Sequence, residues 1–312
     1  MQYYRPVKQA LAYLGVEAAF TCGHRLYTLF CRSCPDIKFI PSRGLLNILK
    51  INDFSLFNKL PGADLCGCLS NDAYEAIQEH DLLIMNYTAI HETFAVNRKA
   101  WEERLSFSKK PYLKPEPGLV RQWHDRLRPF RQRNKPLVGI TWRSSFQLWF
   151  RNQYYLSAQE ISELLKTDEA VFINLQIGNI SRELLYLESH LPHTLIHFSD
   201  LDQFNDFENT AAMFECLDFI ISPRTTPALL AAGLGVPVIE FCPTHIDKYL
   251  VKPGTQDDIH HPSTTHIFPD TPNDRNSLQQ NLMRAMLAKA RSDSWKERRV
   301  AIEKKYSLTG PA

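Results

Sequence analysis

At 312 residues the chain is longer than one hydrophobic core usually supports, so two domains are expected. A formal net charge of +2 excludes a strong overall attraction to nucleic acid or to an anionic membrane. Seven cysteines argue against a complete disulfide framework, and no apolar run is long enough to span a bilayer, so we expect a cytoplasmic location and leave peripheral membrane contact open.

Helical and strand patterns alternate in the first part of the chain. They predict helices at Tyr4–Leu14 and His24–Arg32, and strands at Val16–Thr21, Ile37–Ile40 and Leu82–Met85. An α/β domain normally opens with a strand whose C-terminal loop forms part of the site, whereas this chain begins almost directly in a helix. We therefore expect an N-terminal domain, 1–105, that lacks its first strand and the loop after it.

Four cysteines of this domain form two close pairs. Cys31 and Cys34 have the spacing of a zinc knuckle, but Cys66 and Cys68 are too close together for one. Buried thiols are therefore favoured over a four-thiolate zinc site, and no metal ion or cofactor is expected.

A linker with three prolines, Ser106–Pro117, follows the first domain. The pattern then predicts a helix at Gly118–Phe130, and both belong to a connecting segment, 106–135. Basic residues are dense there, which is also typical of an interaction module: Arg121, Arg126, Arg128, Arg131, Arg133 and Lys135. Because base-stacking aromatic residues are scarce in this run, a solvated linker helix explains it better, and no nucleic-acid partner is expected.

Strands and helices alternate regularly through the second domain, 136–291. Strands are predicted at Leu137–Thr141, Ala170–Leu175, Thr194–Phe198, Leu217–Ile221 and Val236–Phe241, and helices at Ala158–Lys166, Arg182–Ser189, Asn209–Cys216 and Pro227–Leu234. This alternation is the signature of a doubly wound α/β domain with a parallel sheet.

The stretch from Leu217 to Pro243 is the most informative part of this domain. It reads as strand, turn, helix and strand, with hydroxyl residues just ahead of the helix: Ser222, Thr225 and Thr226. Pro227 at the helix start leaves neighbouring amides directed at a ligand, and such helix termini bind phosphate. The alternative is that these hydroxyls only cap an ordinary helix.

The chain ends in a long helical stretch, Asp274–Lys305, with a break predicted near Ser292. We expect its last part, 292–312, to be a C-terminal helix that docks back onto the rest of the protein.

Several motifs in this order resemble bacterial GT-B glycosyltransferase-like proteins. These are relatives of the heptosyltransferases and of the glycosyltransferase domains that follow tetratricopeptide repeats. The motifs are GHRLYTLFCRSCPDIKFIP (23–41), PYLKPEPGLVRQWHDRL (111–127), KPLVGITWRSS (135–145), VFINLQIG (171–178) and LDFIISPRTTPALLAAGLGVPV (217–238). The resemblance implies two Rossmann-like domains facing a cleft. It also implies transfer of a sugar, hexosyl or heptosyl, from a nucleoside-diphosphate donor to a glycan, lipid or protein acceptor without a metal ion.

A donor of this kind needs positive charge and amide donors around its departing diphosphate. Arg143 follows a predicted strand, so its guanidinium is a candidate for the diphosphate, with Ser144 and Ser145 as further donors. Arg151, among Trp142, Phe146, Trp149 and Phe150, is a second candidate cation, and Gln176 a candidate contact to base or ribose. The resemblance adds weight to a phosphate or sugar role for Ser222, Thr225 or Thr226.

Each candidate has an ordinary structural alternative. Arg143 is equally typical of a surface ion pair, and Gln176 of a polar residue at a strand end. Asp200 suits a helix cap better than a ribose contact.

Two departures from the family pattern bear on catalysis. The resembled enzymes have an Asp-Thr pair and a His where this chain has Arg224 and Leu229. They also carry a Gly-Asp motif after the first strand whose acid is the general base, and that part is not found in this sequence. His24, His80 and His91 are substitute candidates, although a lone histidine is usually structural. The alternative function is therefore a noncatalytic nucleotide-sugar-binding or scaffold protein.

Overall fold

The structure is a computed structural model that describes residues 15, 19–42, 110–131, 134–145 and 151–308. The chain divides into two compact units, one spanning 2–105 and the other 106–312 together with the first residue. The helix predicted at Tyr4–Leu14 and the strand predicted at Leu82–Met85 lie outside the described residues.

The described part of the first unit is a small βαβ motif. Strand β1 (Ala19–Gly23) leads into helix α1 (His24–Ser33), and strand β2 (Lys38–Ser42) returns parallel to β1. The first three residues of the strand predicted at Val16–Thr21 lie outside the described residues, and the helix and second strand lie close to their predicted positions. Leu29 and Phe30 are the buried apolar residues of α1, and Phe39 of β2 is buried as well.

The second unit is built on a six-stranded parallel sheet in the order β5-β4-β3-β6-β7-β8. Its strands are β3 (Leu137–Ile140), β4 (Val171–Asn174), β5 (Leu195–Ile196), β6 (Phe219–Pro223), β7 (Val238–Phe241) and β8 (Thr264–Ile267). Its helices are α2 (Pro117–Leu127), α3 (Ala158–Leu165), α4 (Ser181–His190), α5 (Phe207–Glu215), α6 (Thr226–Leu234), α7 (Arg275–Arg291) and α8 (Ser294–Tyr306). The alternation predicted from the sequence is confirmed, and β8 is an additional strand.

The main core lies between the sheet and helices α3, α4 and α7. Alternate residues of the central strands, such as Ile140, Ile221 and Phe241, meet apolar residues of these helices, such as Ile161 and Leu282. The opposite face of the sheet carries α5 and α6, and α2 packs against α5. No helix among the described residues is both long and apolar enough to cross a membrane.

The segment ahead of α2 is fastened to the end of α6. The backbone N–H groups of Tyr112 and Leu113 both donate to the carbonyl of Gly233 at 2.9 Å. Gly235 ends α6 in the left-handed conformation at φ 79°, and a Cβ there would lie 2.3 Å from Cγ of Pro111. Only glycine meets both requirements, so this contact explains why the sequence has glycine at this position.

Helix α8 docks back onto its own unit, at the end of the sheet where the strands begin. The carboxylate of Asp218 accepts from the N–H of Leu137 at 2.7 Å and forms a buried ion pair with Arg299 of α8. Glu215, only 1% exposed, accepts from Lys305 at 2.7 Å and from the hydroxyl of Tyr306 at 3.1 Å. These pairs bind the last helix to the segment between α5 and β6.

Candidate functional site

The candidate site lies where the order of strands in the sheet reverses. Strands β3 and β6 are neighbours in the sheet, but the chain runs outward from β3 through β4 to β5 and outward from β6 through β7 to β8. In open parallel sheets, ligands bind in the crevice outside the carboxyl ends of the strands at such a point. The residues that follow β3 and β6 therefore define the site.

A chain of hydroxyl groups joins the ends of these two strands. The Oγ1 of Thr141 lies 3.0 Å from the Oγ of Ser222, and Ser222 in turn lies 3.2 Å from the Oγ1 of Thr225. Thr141 and Ser222 are buried, with 1% and 0% of their surface exposed. The structure therefore brings Ser222, one of the three predicted hydroxyls, into contact with the residue after β3, and it brings Thr225 into contact with Ser222.

The turn after β6 leads directly into helix α6. Thr225 is the N-cap residue and Pro227 occupies the first turn, while Thr226 is exposed as the first helical residue. The hydroxyl of Thr225 makes no capping bond to the helix and instead donates to the carbonyl of Pro223 at 3.2 Å. A capping role, the alternative from the sequence, is thus not what this hydroxyl performs. The first amides of α6 are left without a side-chain cap, which suits an anion.

Arg143 follows β3, as predicted, and its guanidinium is hydrogen-bonded to other groups of the protein. Its Nε donates to Oε1 of Glu183 at 2.8 Å, and its Nη2 pairs with Oε2 of the same carboxylate. It also donates to the carbonyls of Ser144 at 3.0 Å and Asn179 at 3.1 Å. The ion pair that the sequence left as an alternative is present, and Arg143 is 8% exposed. Its predicted phosphate contact stays a prediction.

The loop after β3 lies close against the loop after β4. A Cβ on Gly178, whose φ is 101°, would lie 3.3 Å from Cα of Ser145. The side chain of Trp142 is completely buried, and its Nε1 donates to Glu183 at 2.9 Å. Phe146, Trp149 and Phe150 lie outside the described residues.

The side chain of Gln176 is hydrogen-bonded to the backbone of this loop. Its side-chain oxygen accepts from the backbone N–H groups of Trp142 and Arg143, both at 2.9 Å, and its side-chain nitrogen donates to the carbonyl of Ile177 at 3.1 Å. At 2% exposure the side chain is buried. The geometry matches a strand-end polar residue that shapes the site, and the predicted base or ribose contact stays a prediction.

A cavity of about 470 Å³ lies beside Arg143 and Glu183, between the starts of α3, α4 and α7. Its wall includes Tyr155, Tyr186 and Arg275. The guanidinium of Arg151 lies 6.0 Å from the ring centroid of Tyr155, at the start of the same segment. Arg151 is thus near this cavity, but no described contact joins it to Arg143.

A second group of charged residues, which the sequence analysis missed, lies at the other side of the β6–α6 turn. Arg224 is the residue after β6, and its Nη1 lies 3.2 Å from Oε1 of Glu240 and 3.5 Å from Oδ2 of Asp258. Glu240, Asp258, His261 and His266 are each at most 2% exposed. Glu240 is a lone acid in an otherwise apolar strand, which was the available signal for a buried polar site.

The cluster is ordered around Asp258 and His266. Asp258 accepts from the backbone N–H groups of His260 and His261 at 2.7 Å, and the Nε2 of His266 lies 2.8 Å from its Oδ2. Burial acts to raise the pKa of this carboxyl, but hydrogen bonds from His261 and His266 outweigh it and hold the pKa below its usual value. Burial raises the pKa of Glu240.

Arg121, Arg126 and Arg128 of the basic run around α2 are exposed, and two members of the run make contacts within the protein. The guanidinium of Arg126 lies between the rings of Trp123 and Phe198, 4.5 and 4.7 Å from their centroids, and pairs with Asp200. The side chain of Arg131 is 3% exposed and donates to the carbonyl of Cys216 at 3.0 Å. These contacts give Arg126 and Arg131 a structural role, and an interaction role for the exposed part of the run stays a prediction.

The cysteine and histidine candidates of the first unit are only partly described. Cys34 is a buried thiol and Cys31 a half-buried one, while Cys66, Cys68, His80 and His91 lie outside the described residues. His24 is the exposed first residue of α1. Within the described residues, no group of three or more His, Cys, Asp or Glu side chains is arranged to hold a metal ion.

Comparisons with known proteins support the fold. No family model matches the sequence. A stretch of 127 residues, 41% of this chain, is 25% identical to protein FlbA of Caulobacter vibrioides and spans 21% of that protein's length. The structure is similar to that of the glycosyl transferase family 9 protein from Veillonella parvula, with 10% identity, a TM-score of 0.54, and coverage of 95% of this chain and 93% of that one.

The ADP-heptose LPS heptosyltransferase II of E. coli is 14% identical, with a TM-score of 0.46 over 91% of this chain and 94% of that one. The likeness to the Veillonella parvula protein extends over nearly the whole chain. The α/β fold of the glycosyltransferase GT-B type, expected from the sequence motifs, is thereby confirmed.

Proposed function

We propose that this protein binds a nucleoside-diphosphate sugar at the reversal point of its six-stranded sheet and transfers the sugar to a glycan, lipid or protein acceptor without a metal ion. The observation that carries the proposal is the hydroxyl chain from Thr141 through Ser222 to Thr225. It places the end of β3 beside the uncapped start of α6, where an anion is stabilised by backbone amides and the helix dipole.

The surroundings supply the other parts of a donor site. The diphosphate is assigned to the β6–α6 turn, and the cavity bounded by Tyr155 and Tyr186 is large enough for a nucleoside. In the transfer, an acceptor oxygen bonds to the anomeric carbon while the bond from that carbon to the phosphate oxygen breaks. The nucleoside diphosphate leaves with the electron pair, and the acceptor proton passes to a base.

A noncatalytic nucleotide-sugar-binding or scaffold protein is the second candidate. It is favoured by Arg224, which stands where the resembled enzymes have an acid, and by the engagement of Arg143 with Glu183. This protein would keep the diphosphate site but have no base. The cytoplasmic location expected from the cysteines stays a prediction in either case.

A thermal-shift screen with UDP, GDP, ADP, CMP and their sugar conjugates, with a chelator present, tests the proposal. A ligand at 100 times its Kd stabilises the folded state by about 2.7 kcal/mol, which is readily detected. A selective shift with one nucleoside diphosphate is expected. If none of these ligands raises the unfolding temperature of the folded protein, the proposal is contradicted. Binding without sugar turnover in the presence of candidate acceptors would favour the noncatalytic alternative.

A further inference from the structure

The side chain of Arg224 has unused hydrogen-bonding capacity at the start of α6. Its Nη1 contacts Glu240 and Asp258, whereas its Nε and Nη2 are buried and have no hydrogen-bond partner among the described residues. The side chain as a whole is 11% exposed. Buried N–H groups in folded proteins are almost always paired, so these two nitrogens indicate an acceptor supplied by something other than the protein.

Arg143, the arginine expected to bind phosphate, offers much less. A guanidinium has five N–H donors. Arg143 uses at least four of them, two on Glu183 and one each on the carbonyls of Ser144 and Asn179. The Nε and Nη2 of Arg224 carry three N–H groups between them, on the edge of the guanidinium that binds two oxygens in parallel.

The carboxylates around Arg224 hold its guanidinium in place, and with one added proton the group carries no net negative charge. Each ring nitrogen of His266 faces a carboxylate oxygen, with Nε2 at 2.8 Å from Asp258 and Nδ1 at 3.3 Å from Glu240. A neutral imidazole has one N–H, which the contact with Asp258 uses, so a proton on Glu240 would complete the second contact. Burial raises the pKa of Glu240, which favours the presence of this proton. With it, two acidic groups are matched by Arg224 and one proton.

The position of the cluster is fixed by strand register. Ser222 of β6 pairs with Glu240 of β7, and Glu240 pairs with His266 of β8. Arg224 is therefore two residues past a buried row that crosses three strands, and it directly precedes Thr225, the N-cap of α6. Its neighbours along the chain are the uncapped amides assigned above to a diphosphate.

We propose that Arg224 is the residue that binds the diphosphate of the nucleotide ligand, and that Glu240, His266 and Asp258 are positioning residues that hold its guanidinium. This inference rests on the proposed function, because it identifies the cation of the same site. The ligand chemistry is a pair of phosphoryl oxygens, which fits the free edge of an arginine and fits a lysine ammonium poorly. The same chemistry is present in inorganic pyrophosphate and in nucleoside diphosphates.

Calorimetric titration of the full-length chain with inorganic pyrophosphate, UDP, GDP and ADP tests the proposal. Arg224→Lys keeps a cation for Glu240 and Asp258 but removes the two-pronged edge. We expect it to weaken diphosphate binding about tenfold to a hundredfold, as for loss of charged hydrogen bonds. Arg291→Lys is the matched control, because Arg291 forms an exposed pair with Glu169 in another part of the unit. It is expected to bind as the unmodified protein does.

A second variant separates binding from folding. Arg224→Gln removes the cation and leaves Glu240 unpaired, so the variant is combined with Glu240→Gln in one protein. The unfolding of this doubly substituted protein is measured without ligand. If the doubly substituted protein unfolds like the unmodified one and still fails to bind pyrophosphate, the proposal holds. If the Arg224→Lys protein binds every diphosphate as tightly as the unmodified one, the proposal is overturned and the proposed function stands. If the unmodified protein binds pyrophosphate but no nucleotide, and Arg224→Lys weakens the binding of pyrophosphate, the proposed function fails and the phosphate-binding role of Arg224 stands.

Discussion

Arg143 and Glu183 form a two-pronged ion pair, with Nε donating to Oε1 at 2.8 Å, that fastens the loop after β3 to the first turn of α4. The arginine is 8% exposed and the glutamate 22%. The carboxylate also accepts from Nε1 of Trp142 at 2.9 Å. One acidic side chain therefore fixes two consecutive residues at the edge of the candidate site.

The first prediction concerns this pair. Glu183→Ala leaves the guanidinium of Arg143 and the indole N–H of Trp142 without their acceptor, so we expect the free energy of unfolding to fall by about 2–4 kcal/mol. Urea denaturation followed by fluorescence measures it. Because the two residues are coupled, the double variant Arg143→Ala, Glu183→Ala is expected to be less destabilised than the sum of the single variants.

The same variants decide what Arg143 does in binding. If Arg143 contacts phosphate, Arg143→Ala weakens nucleotide binding whereas Glu183→Gln does not. Equal losses of stability in both, with nucleotide affinity unchanged, would assign Arg143 to the loop alone.

The sequence was sufficient for most of the sheet. Buried parallel strands are continuous apolar runs, and this is why Leu137–Ile140 and Val171–Asn174 were found close to their observed bounds. Strand β8 was missed because its inward-facing residues include Thr264 and His266, which are 3% and 0% exposed. His266 is paired there with Glu240 and Asp258, and an apolar pattern does not detect a polar interior.

The sequence predicted which residue types lie at the strand ends of the candidate site. It did not predict which of the charged residues contact one another. Arg143 and Glu183 are 40 positions apart, and Arg224 and Asp258 are 34 apart. Which charges meet is set by strand order and register, which sequence periodicity does not specify. The hydroxyls Ser222 and Thr225 were found because they are local to one turn.

The second prediction concerns Gln176. Gln176→Leu keeps a similar volume but leaves the backbone N–H groups of Trp142 and Arg143 buried without an acceptor. Each unpaired buried group costs about 1–3 kcal/mol, so we expect the free energy of unfolding to fall by roughly 2–5 kcal/mol. Gln279→Leu is the control. The described side-chain bond of Gln279 is a donation to the carbonyl of Glu160 at 3.1 Å, so this substitution leaves no backbone N–H group without its acceptor. An equal effect of the two substitutions in urea denaturation would contradict this account of Gln176.

The third prediction concerns the attachment of α8. Asp218 is 2% exposed in its side chain and Arg299 9%, so Asp218→Asn leaves a buried cation without its counter-charge. We expect a loss of about 3–5 kcal/mol in the free energy of unfolding. Asp293→Asn in the same helical tail breaks an exposed i,i+3 pair with Lys296 and is expected to change stability little. Proteolysis in native buffer should then cut α8 faster in the Asp218 variant only.

The fourth prediction is a pH dependence of stability that Glu240 and Asp258 control in different ranges. Burial raises the pKa of Glu240 above its ordinary value of 4.5, so the folded state binds a proton more tightly than the unfolded state does. The resulting stabilisation is complete below pH 4.5 and is lost as the pH rises through the raised pKa. In Glu240→Gln this proton-linked term is absent, so the stability of the unmodified protein relative to this variant should fall as the pH is raised from 4.5 toward 8.

Asp258 provides the contrast, because its pKa is held below the ordinary value of 3.8 by hydrogen bonds from His261 and His266, against the opposing effect of burial. Its stabilisation is present above pH 3.8 and is lost as the pH falls below that value. Relative to Asp258→Asn, the unmodified protein should therefore show a constant advantage over the range in which the Glu240 term declines. Urea denaturation of the three proteins at several pH values measures both differences. Parallel slopes for the two variants would mean that the proton is not held at Glu240, because a raised carboxyl pKa weakens the fold as the pH rises whereas a lowered one does not.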